Sequence, residues 1–340
     1  MKNLLALLAL TVFSTTAFAI SESNYATEYK EKILPLIGSF KNATFKGQAG
    51  VNIHYATYTS NDQSTRCVVI LPGRSEPLEK YAEVVYDLDH GSKAGAFKYF
   101  LMDHRGQGSS GRMINDEASD SEKGYVDHFE NYALDVKTFL DTVVGNAGCS
   151  EKLLLAHSLG AGIAVDFMQK NPEYFDRAFL TSPMLKIQTA PYSYAVARSI
   201  VLASMAAGRG KKYAVGQKPF NPNRNFEANT FTTSQGRYNM AMDMFDYFPQ
   251  TRLGGVTNRW LNEVMSATAH IRKNYSDLRL PLRMAHAGNE TYSEPGEMVR
   301  LCEEAPHCNR VFLKDSKHEV LMDQDHNRGV VLLEIEKFFN

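Results

Sequence analysis

Ser158 stands where an apolar run too short for a helix, Leu153 to Ala156, gives way to a helical stretch of small residues, Gly160-Ala161-Gly162. A buried strand turning sharply into a helix is the setting of a nucleophile elbow, usually written G-x-S-x-G. Here it reads Ala156-His157-Ser158-Leu159-Gly160. The turn aims the serine Oγ away from the backbone, and small residues two positions on either side let the chain make it. Ala156 in place of glycine adds only a methyl group. A serine hydroxyl is a poor nucleophile until a base takes its proton and a third group orients that base. In a strand–turn–helix setting the acid and then the histidine follow the serine along the chain.

Ten histidines compete for the role of base. His318 lies in Lys314-Asp-Ser-Lys-His318-Glu, a loop between the strand Val311-Phe-Leu313 and the last helix. His286 falls inside a strand, His157 is fixed beside the serine and points elsewhere, His326 sits in a charged segment capping the last helix, and His104 precedes the serine. His318 is therefore the predicted base, against the plain alternative of a surface histidine. For the acid, Glu290 in Gly288-Asn-Glu290 follows a strand ending at Ala287. It is preferred over Asp277, which precedes that strand, and Asp315, which crowds the histidine loop. Acyl transfer also needs main-chain N–H donors aimed at the developing oxyanion. The residue after the nucleophile, Leu159, supplies one, and Arg74, after Leu71-Pro72-Gly73, the other. The Arg74 side chain is itself a candidate for a phosphate or carboxylate.

These residues need strands that end at one edge. Val51 to Tyr58 alternates apolar and polar, and Cys67-Val-Val-Ile-Leu71 is a continuous β-rich run stopped by Pro72-Gly73. Further strands are predicted over 97–102, 153–156, 177–181, 282–287 and 311–313, and helices over 25–37, 78–88, 129–144, 295–304 and 330–339. Strands alternating with helices give a mostly parallel sheet with helices on both faces. Between about 184 and 277 the rhythm changes to Met- and Tyr-rich helical segments without a clear strand. This stretch is read as an insertion over the carboxyl ends of the strands, where open α/β sheets bind ligands. Gly106, Gly108 and Gly111 spell G-x-G-x-x-G after a strand. That fingerprint needs a helix opening at its last glycine, and a polar loop follows instead, so a nucleotide site is set aside.

The 340 residues suffice for one large domain, and a net charge of −1 points to no nucleic acid or other strongly charged partner. Met1-Lys2-Asn3, the apolar stretch Leu4 to Phe13 and Ala17-Phe18-Ala19 have the form of a signal peptide cleaved after Ala19. The predicted layout is thus a signal at 1–19, a core of 20–183 with 278–340, and a helical insertion at 184–277. In an exported chain, four cysteines make disulfides plausible. Cys302 and Cys308 flank a bend and suit a local bridge, while Cys67 and Cys149 meet if the strands that follow them are parallel neighbours. No C-x-x-C or other metal-ligand spacing occurs, and no cofactor is expected.

Leu71-Pro-Gly-Arg-Ser-Glu-Pro-Leu-Glu-Lys-Tyr81, Asp103-His-Arg-Gly-Gln-Gly-Ser109, Ala156-His-Ser-Leu-Gly160 and His318-Glu319 resemble α/β-hydrolases of the monoacylglycerol lipase and bacterial lysophospholipase group, the serine aminopeptidase S33-like hydrolases. Asn229 to Tyr238 and Arg252 to Trp260 are similar to the cap of bacterial lysophospholipases. The resemblance runs from about residue 45 to the C-terminus. It implies an α/β-hydrolase fold with a helical cap, a Ser158–Glu290–His318 triad, and an oxyanion hole at Arg74 and Leu159. Ala156 departs from the usual glycine, Leu71-Pro72 from an apolar-His pair, and Glu290 from the commoner aspartate. The longer glutamate reaches His318 only if its loop is set back.

The 184–277 segment carries Tyr192, Tyr194, Met205, Tyr213, Phe231, Tyr238, Met240, Met244, Phe245, Tyr247 and Phe248, which together suit a slot for one acyl chain. Arg237, Arg252 and Arg259 are candidates for a phosphate head group. The expected activity is hydrolysis of a lysophospholipid or monoacylglycerol ester by an exported, periplasmic or secreted enzyme. Transient contact of an apolar insertion edge with a membrane surface is compatible with this. The alternatives are acyl transfer to a lipid alcohol by the same triad, and a non-catalytic lipid-binding protein on the same fold.

Overall fold

The computed structural model describes residues 20–91 and 97–340; the predicted signal segment lies outside them. Eight strands form one sheet in the order β1-β2-β4-β3-β5-β6-β7-β8. They are β1 (Lys41–Lys46), β2 (Asn52–Thr59), β3 (Arg66–Leu71), β4 (Lys98–Met102), β5 (Glu151–His157), β6 (Arg177–Thr181), β7 (Leu282–Ala287) and β8 (Cys308–Leu313). β1, β2 and β4 pair antiparallel and every other neighbouring pair is parallel. The parallel strands thus end on one edge. Ser158, Glu290 and His318 follow β5, β7 and β8 at that edge.

Alternation along β3 divides the core. Val69 and Leu71 face one cluster with Val136, Ile163 and Trp260, while Val68 and Ile70 face the other with Leu88, Val331 and Phe339. Helices therefore cover both faces. Tyr25–Glu28 (α1) and Leu34–Ser39 (α2) form the N-terminal layer, followed by Ala82–Gly91 (α3), Glu130–Phe139 (α4) and Ser158–Lys170 (α5). Between β6 and β7 come Tyr194–Ala206 (α6), Gln235–Tyr247 (α7) and Asn258–Ile271 (α8), and no strand among the described residues. Pro295–Glu304 (α9) and Asp325–Phe339 (α10) complete the chain. α8 shows why these segments are helical. Thr257 caps it by accepting from the Trp260 N–H, and Trp260, Val264, Thr268 and Ile271 recur on one buried stripe.

Cys67–Cys149 and Cys302–Cys308 are both bonded. The first bridge exists because β3 and β5 are parallel neighbours, with Arg66 opposite Glu151. Strand β1 has no counterpart in the sequence reading. It is an edge strand exposed along nearly its whole length, so it shows no apolar alternation.

Candidate active site

Ser158 is the first residue of α5 and takes a left-handed backbone, φ +48°, which turns its hydroxyl out of the strand line. Gly160 shows what the turn requires. A Cβ there would lie 2.3 Å from the Leu71 carbonyl oxygen and 2.4 Å from that of Pro72. The helix thus starts directly against the end of β3. Ala156, by contrast, is a buried β5 residue, and its methyl belongs to the core.

His318 Nε2 lies 2.8 Å from Ser158 Oγ, and His318 Nδ1 lies 2.6 Å from Glu290 Oε2. All three residues are at most 8% exposed. Glu290 reaches the histidine because its loop is held back. The Asn289 N–H donates to the Ser316 carbonyl at 2.9 Å, and Glu290 Oε1 accepts from the Tyr292 and Ser293 N–H groups. Burial pushes the Glu290 carboxyl up, but the His318 hydrogen bond, its charge and the two main-chain donors hold it below the usual carboxylate range. Asp277 lies in the turn before β7, at the other end of the strand, and Asp315 is exposed. His157 makes contacts to Thr181 Oγ1 and the Thr181 carbonyl, and burial lowers its pKa to about 4. His104 meets the Pro72 carbonyl, also buried with its pKa lowered to about 4. His286 lies in β7 beside Arg310, and His326 in the first turn of α10.

The Leu159 N–H lies in the first turn of α5, where main-chain donors have no acceptor within the helix. Arg74 follows β3 in a turn fixed by residues that the sequence motifs contain but to which the sequence reading gave no role. Glu76 Oε2 accepts from the Gly73 N–H at 2.6 Å and from Tyr81 OH at 2.8 Å, while Gln107 Nε2 donates to the Gly73 carbonyl at 2.7 Å. Lys80 Nζ bonds Glu76 Oε1 at 2.6 Å. Burial raises the Glu76 carboxyl, yet Lys80 and the other donors outweigh it and bring its pKa to about 2. The signal was present: Glu76 and Lys80 are four apart, and Glu319 follows His318 in the motif already singled out.

A cavity of about 670 Å³ opens above Ser158 and His318, walled by Met184, Ile187, Ile200, Val201, Trp260 and Leu261 among others. A second, of about 410 Å³, adjoins it and shares Arg74, Glu76, Phe231 and Glu319. Of the aromatic and methionine residues expected to form a slot, Tyr192 and Phe231 line the first cavity. Phe231, Tyr238, Met244 and Phe245 line the second. Tyr194, Met205, Tyr213, Met240, Tyr247 and Phe248 line neither. The three arginines proposed for a phosphate are elsewhere. Arg237 is buried against Glu83 and reaches Asp325, Arg252 pairs with Asp246, and Arg259 faces Glu263. Their apparent freedom in the sequence is lost because each has an acid that only folding, or a helical turn, brings near. Around Gly106 and Gly108 the chain runs into the loop that binds Arg112 to Ser121, with no helix opening at Gly111.

A mostly parallel sheet with a serine at a tight strand-to-helix turn, and an acid and a histidine after later strands, is the layout of the α/β-hydrolase class. Residues 62–325 match the Hydrolase_4 family model, described as serine aminopeptidase, S33. The chain is 31% identical over 306 residues to lysophospholipase L2 of Escherichia coli K12, covering 88% of this chain and 87% of that one. It is 26% identical over 311 residues to probable lysophospholipase L2 of Haemophilus influenzae, covering 91% and 95%. Its fold is also that of a soluble variant of Saccharomyces cerevisiae monoglyceride lipase, with a TM-score of 0.65 at 14% identity, covering 88% and 94%. The chain belongs to the S33 family of α/β-hydrolases, as its motifs suggested, and in class it is a carboxylic ester hydrolase.

Proposed function

We propose that the protein hydrolyses the ester of a single-chain lipid, a lysophospholipid or monoacylglycerol, through an acyl-enzyme on Ser158. The observation that carries this is the position of His318, 2.8 Å from the serine hydroxyl and 2.6 Å from a buried carboxylate, at the floor of an apolar cavity. His318 Nε2 takes the Ser158 proton as Oγ attacks the ester carbonyl carbon. Glu290 keeps the proton on Nδ1 and stabilises the imidazolium that forms. The carbonyl oxygen, now negative, is met by the Leu159 and Arg74 N–H groups; each such donor typically contributes ~10² to 10³ in rate. The imidazolium returns its proton to the leaving glycerol oxygen as the C–O bond breaks. Water, deprotonated by the same histidine, then releases the fatty acid and restores the serine.

Residues 184–277 act in this reading as a cap whose helices roof the acyl slot, supported by the cavity wall they supply. The names of the lysophospholipase L2 relatives support a lysolipid substrate. Export is the matching location: two disulfides are compatible with an oxidising compartment, and no described helix is long and apolar enough to cross a membrane.

A panel of lysophospholipids and monoacylglycerols of graded chain length tests the proposal. The native protein should release free fatty acid, and Ser158→Ala should not. Accumulation of a diacyl lipid instead of fatty acid would mean acyl transfer, and no turnover of any lipid ester would refute the reading.

A further inference from the structure

The buried arginines of this protein are paired with acids. Arg105 bonds Asp135, Arg237 bonds Glu83, and Arg328 bonds Asp87. Arg74 is different. Among the described residues it forms no ion pair. Its Nη2 donates to the Gly254 carbonyl, its guanidinium lies 5.6 Å from the centre of the Trp260 ring, and its buried Nε has no partner. Burial lowers its pKa to about 10, and the groups that favour its charge are the hydroxyls of Tyr132, Tyr213 and Tyr292. Holding a charge partly out of water without an opposite charge is costly, and an anion beside it would offset that cost.

Arg74 lines both cavities and stands at their junction. The other cations there are already served or open to water. Lys80 is bonded by Glu76 and Glu319, whose carboxylates also face the junction, and Lys218 is exposed. Arg237, Arg252 and Arg259 are paired with acids and line neither cavity, and among the described residues Arg74 is the one arginine in either lining. Its own main-chain N–H is the second donor assigned to the ester oxygen, so the guanidinium lies within one side-chain length of the ester. In a lysophospholipid the phosphorus lies a few bonds beyond the ester, across the glycerol. The planar guanidinium presents two donors that match two phosphate oxygens.

We propose that the Arg74 side chain binds the phosphate of the substrate at the junction of the two cavities, and that the preferred substrate is a single-chain glycerolipid carrying a phosphate rather than a neutral monoacylglycerol. This rests on the ester-hydrolase reading for the identity of the substrate, and its test is made independent of turnover.

The test uses two ether lipids of equal chain length, which cannot be hydrolysed: an alkylglycerol phosphate and the matching alkylglycerol, titrated into the full protein by calorimetry. The native protein should bind the phosphate lipid at least tenfold more tightly. Arg74→Met, which keeps the main-chain donor, should bring the ratio close to one, and Arg74→Lys should restore part of it. A native ratio near one overturns the proposal, as does a ratio that survives Arg74→Met. An equal loss for both lipids in Arg74→Met would identify the side chain as a strut to Gly254 and overturn it too. Glycerol phosphate without a chain, binding as tightly as the ether lipid, would overturn the assignment to a lipid. If the ester-hydrolase reading alone fails, no lipid ester is turned over while the tenfold ratio remains.

Discussion

The Lys80 ammonium lies 2.7 Å from the Glu319 carboxylate and thereby joins the turn that carries Arg74 to the residue that follows His318. Glu76 completes the unit at 2.6 Å. Burial lowers the Lys80 pKa on its own, but Glu319 and Glu76 reverse that and hold it above the ordinary lysine range. One side chain thus ties together two loops that both line the cavity over Ser158.

Removing that ammonium leaves two buried carboxylates unpaired, which typically costs about 3 to 5 kcal/mol. Lys80→Met should lower stability by about that much in urea unfolding. With both loops released, kcat on a short neutral ester should fall by up to about 100-fold even under folding conditions, because small misplacements are costly in near-attack geometry. An unchanged kcat in the folded variant would show that the loops hold their places without Lys80.

Glu290 separates charge from reach. Glu290→Gln keeps the length but removes the charge that stabilises the imidazolium, and kcat should drop by roughly 10³ to 10⁴. Glu290→Asp keeps the charge, but the shorter side chain gives up either His318 or the Tyr292 and Ser293 N–H groups. Its kcat should lie between those of the native protein and Glu290→Gln in steady-state assays. Equality of the aspartate variant with the native enzyme would mean that the set-back of the loop is not what the glutamate serves.

His104, held down to about 4 by burial against an ordinary value of 6.5, binds fewer protons folded than unfolded across that range. Its contribution to stability is complete above pH 6.5 and is lost as pH falls towards 4, roughly 3 kcal/mol in all. Glu79 acts oppositely. Burial and then Asp103 hold it up to about 7 from 4.5, so its contribution is lost as pH rises through that range. The informative measurement is therefore a difference: His104→Gln should lose less stability than the native protein between pH 7 and pH 5 in urea melts. Parallel curves would contradict a buried neutral His104.

The two disulfides should differ in worth. Cys67–Cys149 closes a loop with a sequence separation of 82 and Cys302–Cys308 one of 6, which on chain entropy corresponds to roughly 4.5 and 2 kcal/mol. Paired serine substitutions of the first bridge should lower the thermal midpoint further than those of the second. The reverse order would mean that something other than loop closure sets their effect.

What could be read from the chain is what is local. The elbow, Pro72-Gly73 and the strand before Glu290 announce themselves within a few residues, and chain order then selects His318. The layout fails where burial gives no pattern or partners are remote. β1 is exposed, so Lys41 to Lys46 carries no alternation. Arg237 reads as a free surface charge until α3 brings Glu83 to it at 2.9 Å. Lys80 has a legible partner four residues away in Glu76, but its second, Glu319, comes from the far end of the chain.

The central claim is that Ser158 is the nucleophile, and labelling with a fluorophosphonate followed by peptide mass spectrometry tests it most directly. One adduct per chain is expected, on the peptide containing Ser158. It should be absent in Ser158→Ala and strongly slowed in His318→Ala. An adduct on another residue, or none on the folded native protein, would contradict the account.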